Sequence, residues 1–225
     1  MDVRWADIVD WVNDERGWAT FVAAVVLLLI AWTYAQIAKR RQVARLLAAV
    51  DDTTVGRYLP HVRTGAWGFA VTVAPPPEPF REFHVSFRAR HPLDFVDWPA
   101  LWARRERPRL QLAGTLPRVP EAELLWVRGR PPLTLVGTQP GRGPWVQQRL
   151  ATTRAEYATR GANTAALRHA FADLHARFYA KLELVTVQRD HAPHVRLVFE
   201  GRVDPRDLSP LLASLRGIGR AAGLG

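Results

Sequence analysis

The sequence contains no cysteine, which excludes disulfide bonds and thiolate metal sites and fits a reducing compartment. Lysine is nearly absent as well: Lys39 and Lys181 are the only two, so almost all the positive charge is arginine. Such a bias follows from a GC-rich genome as readily as from the match between a planar guanidinium and phosphate or carboxylate. Serine occurs only as Ser86, Ser209 and Ser214, none of them in a nucleophile-elbow context. The glycine-rich stretch Gly137, Gly141 and Gly143 contains Arg142 but lacks the lysine and hydroxyl of a P-loop. It does not match the dinucleotide fingerprint either. With Pro140 and Pro144 alongside, it reads as a turn, the alternative being a phosphate held by exposed amides and Arg142.

What is present is a folded composition, 48% hydrophobic and 23% charged over 225 residues, enough for one moderate domain. The charge is unevenly placed. Two basic and five acidic residues precede the apolar run, whereas the chain from Lys39 onward carries 29 basic and 16 acidic residues, a balance of +13. A cationic domain of this kind attracts anionic lipid, nucleic acid or an acidic partner.

From Trp18 to Ala38 there are 21 residues without a charge. At the helical rise they span roughly 31 Å, the hydrocarbon thickness of a bilayer. Phe21, Val22, Val25, Val26, Leu27, Leu28, Leu29, Ile30 and Ile37 each favour insertion, together by roughly 3 to 5 kcal/mol. Trp18 at one end and Trp32 and Tyr34 near the other suit interfacial anchoring. An acidic N-terminal flank and a long apolar stretch argue against a cleaved signal peptide. Lys39, Arg40, Arg41, Arg45 and Arg57 follow the run, against Arg4 and Arg16 before it. The positive-inside rule therefore places the N-terminus outside and the C-terminal domain in the cytoplasm.

Both flanks are amphipathic. Trp5, Ile8, Val9 and Val12 recur at helical spacing before the run, and Val43, Leu46, Leu47 and Val50 after it. The expected organisation is an outer amphipathic segment over 1–17, a transmembrane helix over 18–38, a basic juxtamembrane helix over 39–55 and a cytoplasmic domain over 56–225.

Within that domain, Trp67, Phe69, Val71 and Val73 alternate with small or polar residues, as do Phe83, Val85 and Phe87 after a proline-rich turn. Period two predicts a hairpin. A short helix is expected over 94–104, strands around 110–112, 123–128 and 133–136, and a helix over 145–157. Asn163 is expected to cap a helix reaching Tyr179, with strands over 182–187 and 194–199 and a closing helix over 205–216 following it. The fold class is therefore α+β, a mainly antiparallel sheet with helices packed on one face. The order strand, strand, helix near both ends raises an internal duplication into two halves as an alternative.

No chemistry announces itself. His169 and Asp173 are four apart on a helix and can meet, while His175 points elsewhere; all three read as solvent-facing. His191 and His194 flank a turn without a third ligand. Arg88 and Arg90 share an outward strand face with His84 and Ser86, and Arg196 lies on a similar face of the late hairpin. With Arg142 these are the candidate anion-binding residues, but Phe83 and Phe87 fall on the opposite face, so an aromatic stacking platform for nucleic acid is not built there. No cofactor and no metal is expected. The sequence supports a membrane-anchored, non-enzymatic interaction domain, an accessory or scaffold component of a membrane assembly, with the bilayer and a membrane-protein partner or a second copy as its contacts. Binding of anionic lipid or nucleic acid is the alternative, and an enzyme without a recognisable motif the third. In a protease-protection assay on sealed membranes, the C-terminal domain should be cut only from the cytoplasmic side; digestion from outside would reverse the orientation.

Overall fold

The computed structural model describes residues 15–54, 57–58, 63–65, 68–89, 107–132, 143–151, 153–201 and 203–223. The expected outer segment, the helix over 94–104 and the strand over 133–136 lie outside these residues, as do Arg90 and Arg142. The helix of the first half of the suggested duplication therefore lies outside them too.

A single helix, α1 (Glu15–Thr54), runs without interruption through both the apolar run and the juxtamembrane segment. Among the described residues ten strands follow: β1 (Arg57–Tyr58), β2 (Arg63–Gly65), β3 (Gly68–Ala74), β4 (Glu82–Arg88), β5 (Arg109–Thr115), β6 (Ala122–Val127), β7 (Val146–Arg149), β8 (Glu156–Gly161), β9 (Leu182–Val187) and β10 (Val195–Glu200). Helix α2 (Thr164–Phe178) separates β8 from β9, and a 3₁₀ turn (Pro205–Asp207) leads into α3 (Leu208–Gly223). The eight main strands form one antiparallel sheet in the order β3-β4-β5-β10-β9-β6-β8-β7, with β1 and β2 both paired to β3. The fold is thus α+β with helices on one face of the sheet.

Alternation of side chains explains which face is covered. Phe69, Val71 and Val73 of β3 and Phe83, Val85 and Phe87 of β4 are buried, as are Leu110 and Leu112 of β5 and Val195, Leu197 and Phe199 of β10. The helices meet this surface with Leu167, Phe171, Leu174 and Phe178 of α2 and Leu208, Leu211, Leu212, Leu215 and Ile218 of α3. The third contributor is α1, which buries Val43, Leu46 and Val50 in the same core.

Two expectations are corrected. Residues 145–157 are not a helix: β7 and β8 form an antiparallel hairpin closed by Leu150 N donating to Ala155 O at 2.9 Å and Arg154 N donating to Leu150 O at 2.9 Å. Arg154 has φ 56°, which stops a right-handed helix at that point. The hairpin's outer strand, β7, carries few apolar residues to show its period. Asn163 precedes α2 as expected, but with φ 53° it makes no side-chain cap hydrogen bond. The left-handed backbone, not a capped amide, sets the entry of that helix.

Phe80 ties the layers together. Its ring lies 5.6 Å from that of Phe83 and fills the space that a side chain on Gly114 of β5 or Gly219 of α3 would occupy. Sheet and helix approach this closely because both positions lack a Cβ. Gly114→Val should therefore destabilise the protein by about 1–3 kcal/mol through overpacking, and Phe80→Ala by about 3–5 kcal/mol through the cavity it leaves. Thermal or denaturant unfolding of the full chain in detergent checks both.

Candidate membrane interface

Along α1, burial changes character. Leu27, Leu28, Leu29 and Ile30 are 66%, 63%, 58% and 59% exposed. Four successive residues cover about 300° of a helix circumference, so apolar side chains point in nearly every direction. In water each would forgo about 1.5–3 kcal/mol of burial, together as much as the net stability of many domains. Among the described helices, α1 is the one long and apolar enough to cross a bilayer, and none of its most apolar stretch is buried in the fold.

Further along, a seam emerges at spacings of four and three: Trp32, Gln36 and Lys39 are half-buried, and Val43, Leu46 and Val50 are buried. That repeat keeps one stripe of a helix facing one partner surface over several turns. The partners of α1 in the fold are α3, β3 and the 3₁₀ turn. Trp32 therefore lies on the seam, its indole Nε1 buried and without a hydrogen bond among the described residues, whereas Tyr34 is 74% exposed. Of the expected interfacial aromatics, Trp18, at 56% exposure and stacked on Phe21 with ring centroids 5.8 Å apart, and Tyr34 face outward.

Beside the seam, the exposed stripe Tyr34, Ile37, Ala38, Arg41 and Arg45 forms one wall of a cleft of about 680 Å³. Lys39 and Gln42 also line it, and the other wall is Val203, Asp204, Pro205 and Arg206. Local chemistry fixes that second wall. Asp204 Oδ1 accepts from Arg206 N at 2.9 Å, Asp207 Oδ2 accepts from Asp204 N at 3.4 Å, and Pro205 occupies the first position of the turn. This reciprocal capping box is in turn held to the α2–β9 junction by Lys181 Nζ, 2.6 Å from Asp207 Oδ2. Arg40 is exposed outside the cleft lining. Arg206 was not among the residues singled out by spacing; only the fold brings it opposite Arg41.

The sheet-face arginines do not converge. Register aligns Arg88 with Arg109 and Glu200 in one row, and His84 with Ala113, Arg196 and Thr186 in another. Arg88 and Arg196 share a face and are exposed. Two strand spacings and two rows, four residues along the strands, separate them, about 16 Å by sheet geometry. Arg109 pairs with Glu183 at 2.9 Å, and Ser86, Gln111 and Val198 fill the row between. The same face is closed further along, where Arg160 is buried in a salt bridge with Glu123, with Trp145 stacked 4.6 Å from the guanidinium and Arg189 N donating to Glu123 at 3.1 Å.

The histidines divide. His169 and Asp173 do meet, 3.7 Å apart and exposed. His175 is corrected: it is buried, its ring edge-on to Trp126 at 5.1 Å, 5.6 Å from Phe171 and within 3.3 Å of the Thr153 hydroxyl. A helix residue two positions from a solvent-facing aspartate turns inward at 100° per residue, and the aromatic packing fills that side. His175 lies in a second concavity of about 590 Å³, floored by Trp126 and Tyr179 and rimmed by Arg128, Arg130 and Arg154. Arg128 is engaged there, donating to Tyr179 O at 2.6 Å. His194 accepts a hydrogen bond from Leu116 N at 3.0 Å. Among the described residues no three His, Asp or Glu side chains gather as metal ligands.

Burial, reinforced by the Arg128 charge, lowers the pKa of His175, and burial also lowers that of His194. The unfolded chain then takes up protons that the folded chain refuses as the pH falls below the ordinary histidine value of about 6.5, so stability is full above that value and lost on acidification. Melting temperature should fall between about pH 7 and pH 5, and a H175Q/H194Q variant should show a flatter profile over that range. No protein-family model and no curated protein matches this chain, so its function is read from this geometry and chemistry alone.

Proposed function

We propose that the protein is a single-pass membrane protein, N-terminus outside, whose basic α+β domain is held against the cytoplasmic face of the bilayer. There it serves as a non-enzymatic accessory or scaffold component of a membrane assembly. One observation carries this reading: a single helix is apolar and exposed on all sides over its first half and locked into the domain's core over its second. Lipid satisfies the first half, and the domain satisfies the second. The arginines and lysine that follow the apolar run support the orientation through the positive-inside bias.

A rigid continuation also supports the scaffold role. A domain joined by a flexible linker samples many orientations, whereas one whose core includes the anchor helix presents a fixed surface to whatever lies beside it in the membrane. The basic juxtamembrane wall favours anionic lipid over nucleic acid as the alternative partner, since the described outward residues of β3, β4, β5 and β10 include no Phe, Tyr or Trp for base stacking.

Alkaline extraction of membranes followed by purification in mild detergent tests the reading. The chain should stay with the membrane pellet and should then purify with a protein partner or as a defined oligomer. Release into the alkaline supernatant would overturn the anchor; a bare monomer under the mildest conditions would overturn the assembly role.

A further inference from the structure

The cleft between α1 and the 3₁₀ turn is placed where a membrane changes chemistry. The uncharged stretch of α1 ends at Ala38, and Lys39, Arg41 and Arg45 follow within seven residues. From Ala38 to Arg45 the helix rises about 10 Å, against a headgroup layer of roughly 5–8 Å on each side of the hydrocarbon. Tyr34 and Ile37 thus line the cleft at acyl-chain depth, Lys39 and Arg41 at phosphate depth with Arg206 on the second wall, and Arg45 on the water side. The one carboxylate in the lining, Asp204, is occupied by the backbone amide of Arg206. Three arginines, Arg41, Arg45 and Arg206, therefore share the lining with a single carboxylate.

We propose that this cleft binds one anionic phospholipid from the leaflet on the domain's side. Its phosphate is held between Arg41 and Arg206, with Lys39 and Arg45 flanking, and an acyl chain runs along Tyr34 and Ile37. The inference rests on the membrane-anchor reading and goes beyond a general attraction to charged headgroups. One wall belongs to the membrane helix and the other to the folded domain, so a bound lipid bridges the two and sets how the domain sits on the bilayer. Guanidinium groups suit this role because each offers two parallel donors to phosphate oxygens. An inorganic phosphate shares the headgroup chemistry but gains nothing from the apolar wall.

The test uses the full chain in mild detergent, with retained lipid measured by native mass spectrometry during titration with phosphatidylglycerol, phosphatidylcholine or inorganic phosphate. The wild type should retain one phosphatidylglycerol in preference to phosphatidylcholine, and inorganic phosphate should neither bind measurably nor compete. R41Q/R206Q should bind phosphatidylglycerol about thirtyfold more weakly, the change expected for two cations at a charged membrane surface. R45Q should weaken it less, and R88Q/R196Q on the sheet face should leave it unchanged. Equal retention of the two lipids, an equal loss in R88Q/R196Q, or competition by inorganic phosphate would overturn the cleft assignment. Alkaline extraction separates the two readings: a chain that stays in the membrane without lipid preference refutes the cleft alone, and a chain that is extracted refutes the anchor on which it rests. A matched melting temperature for R41Q/R206Q and wild type in phosphatidylcholine shows that the variant is folded; if it is not, R45Q and R206Q singly must each weaken binding for the assignment to stand.

Discussion

Val43, Leu46 and Val50 belong to two structures at once. They are the last turns of a helix whose first turns have no protein to rest on, and they are members of the core that holds the sheet to its helices. Take that stripe out of the core and α1 becomes an apolar rod attached by a tether, with α3, β3 and the 3₁₀ turn each missing a neighbour. The spacing of four and three that brings the three residues to one face also turns the exposed stripe of Tyr34, Arg41 and Arg45 toward the 3₁₀ turn. Docking of the helix and formation of the cleft are therefore one geometric event.

The sheet behind this contact is organised around its last hairpin. Strands β5 and β6 are consecutive in the chain, yet β10 and β9 lie between them. The middle of the sheet is thus supplied by residues 182–200, and the helix that follows, α3, crosses back to meet α1. Phe80 closes the arrangement from the other side, its ring seated where glycines in β5 and α3 leave room. The far face divides between an open, mixed-charge area around Arg88 and Arg196 and a covered area around the Arg160–Glu123 pair. In a buried ion pair of this kind, desolvating both charges offsets much of their attraction.

Much of this was legible from residue order. Phe69, Val71 and Val73, then Phe83, Val85 and Phe87, alternate as strictly as buried strand faces must, and each took its expected face. The stripe from Leu167 to Phe178 and the apolar run ending at Ala38 were equally plain, because period and length are local properties. What escaped was decided by distant partners. The hairpin of β7 and β8 was hidden because β7 is a solvent-facing outer strand with little alternation, and its turn depends on the left-handed Arg154. His175 read as exposed because no local pattern announces a ring of Trp126, Phe171 and Tyr179 around it. Arg41 and Arg206 are 165 positions apart (206 minus 41), and only the docking of α1 beside the 3₁₀ turn makes them neighbours.

The insertion of β9 and β10 between β5 and β6 has a consequence for biosynthesis. A chain emerging from the ribosome presents the apolar helix before the strands at the centre of the sheet and the helix that grips α1. The early strands must wait, edges open, until residues 195–200 have been made, since β5 has no second neighbour before β10 arrives. Folding of this domain is accordingly completed late, by strands that join a sheet whose early edge has stood open.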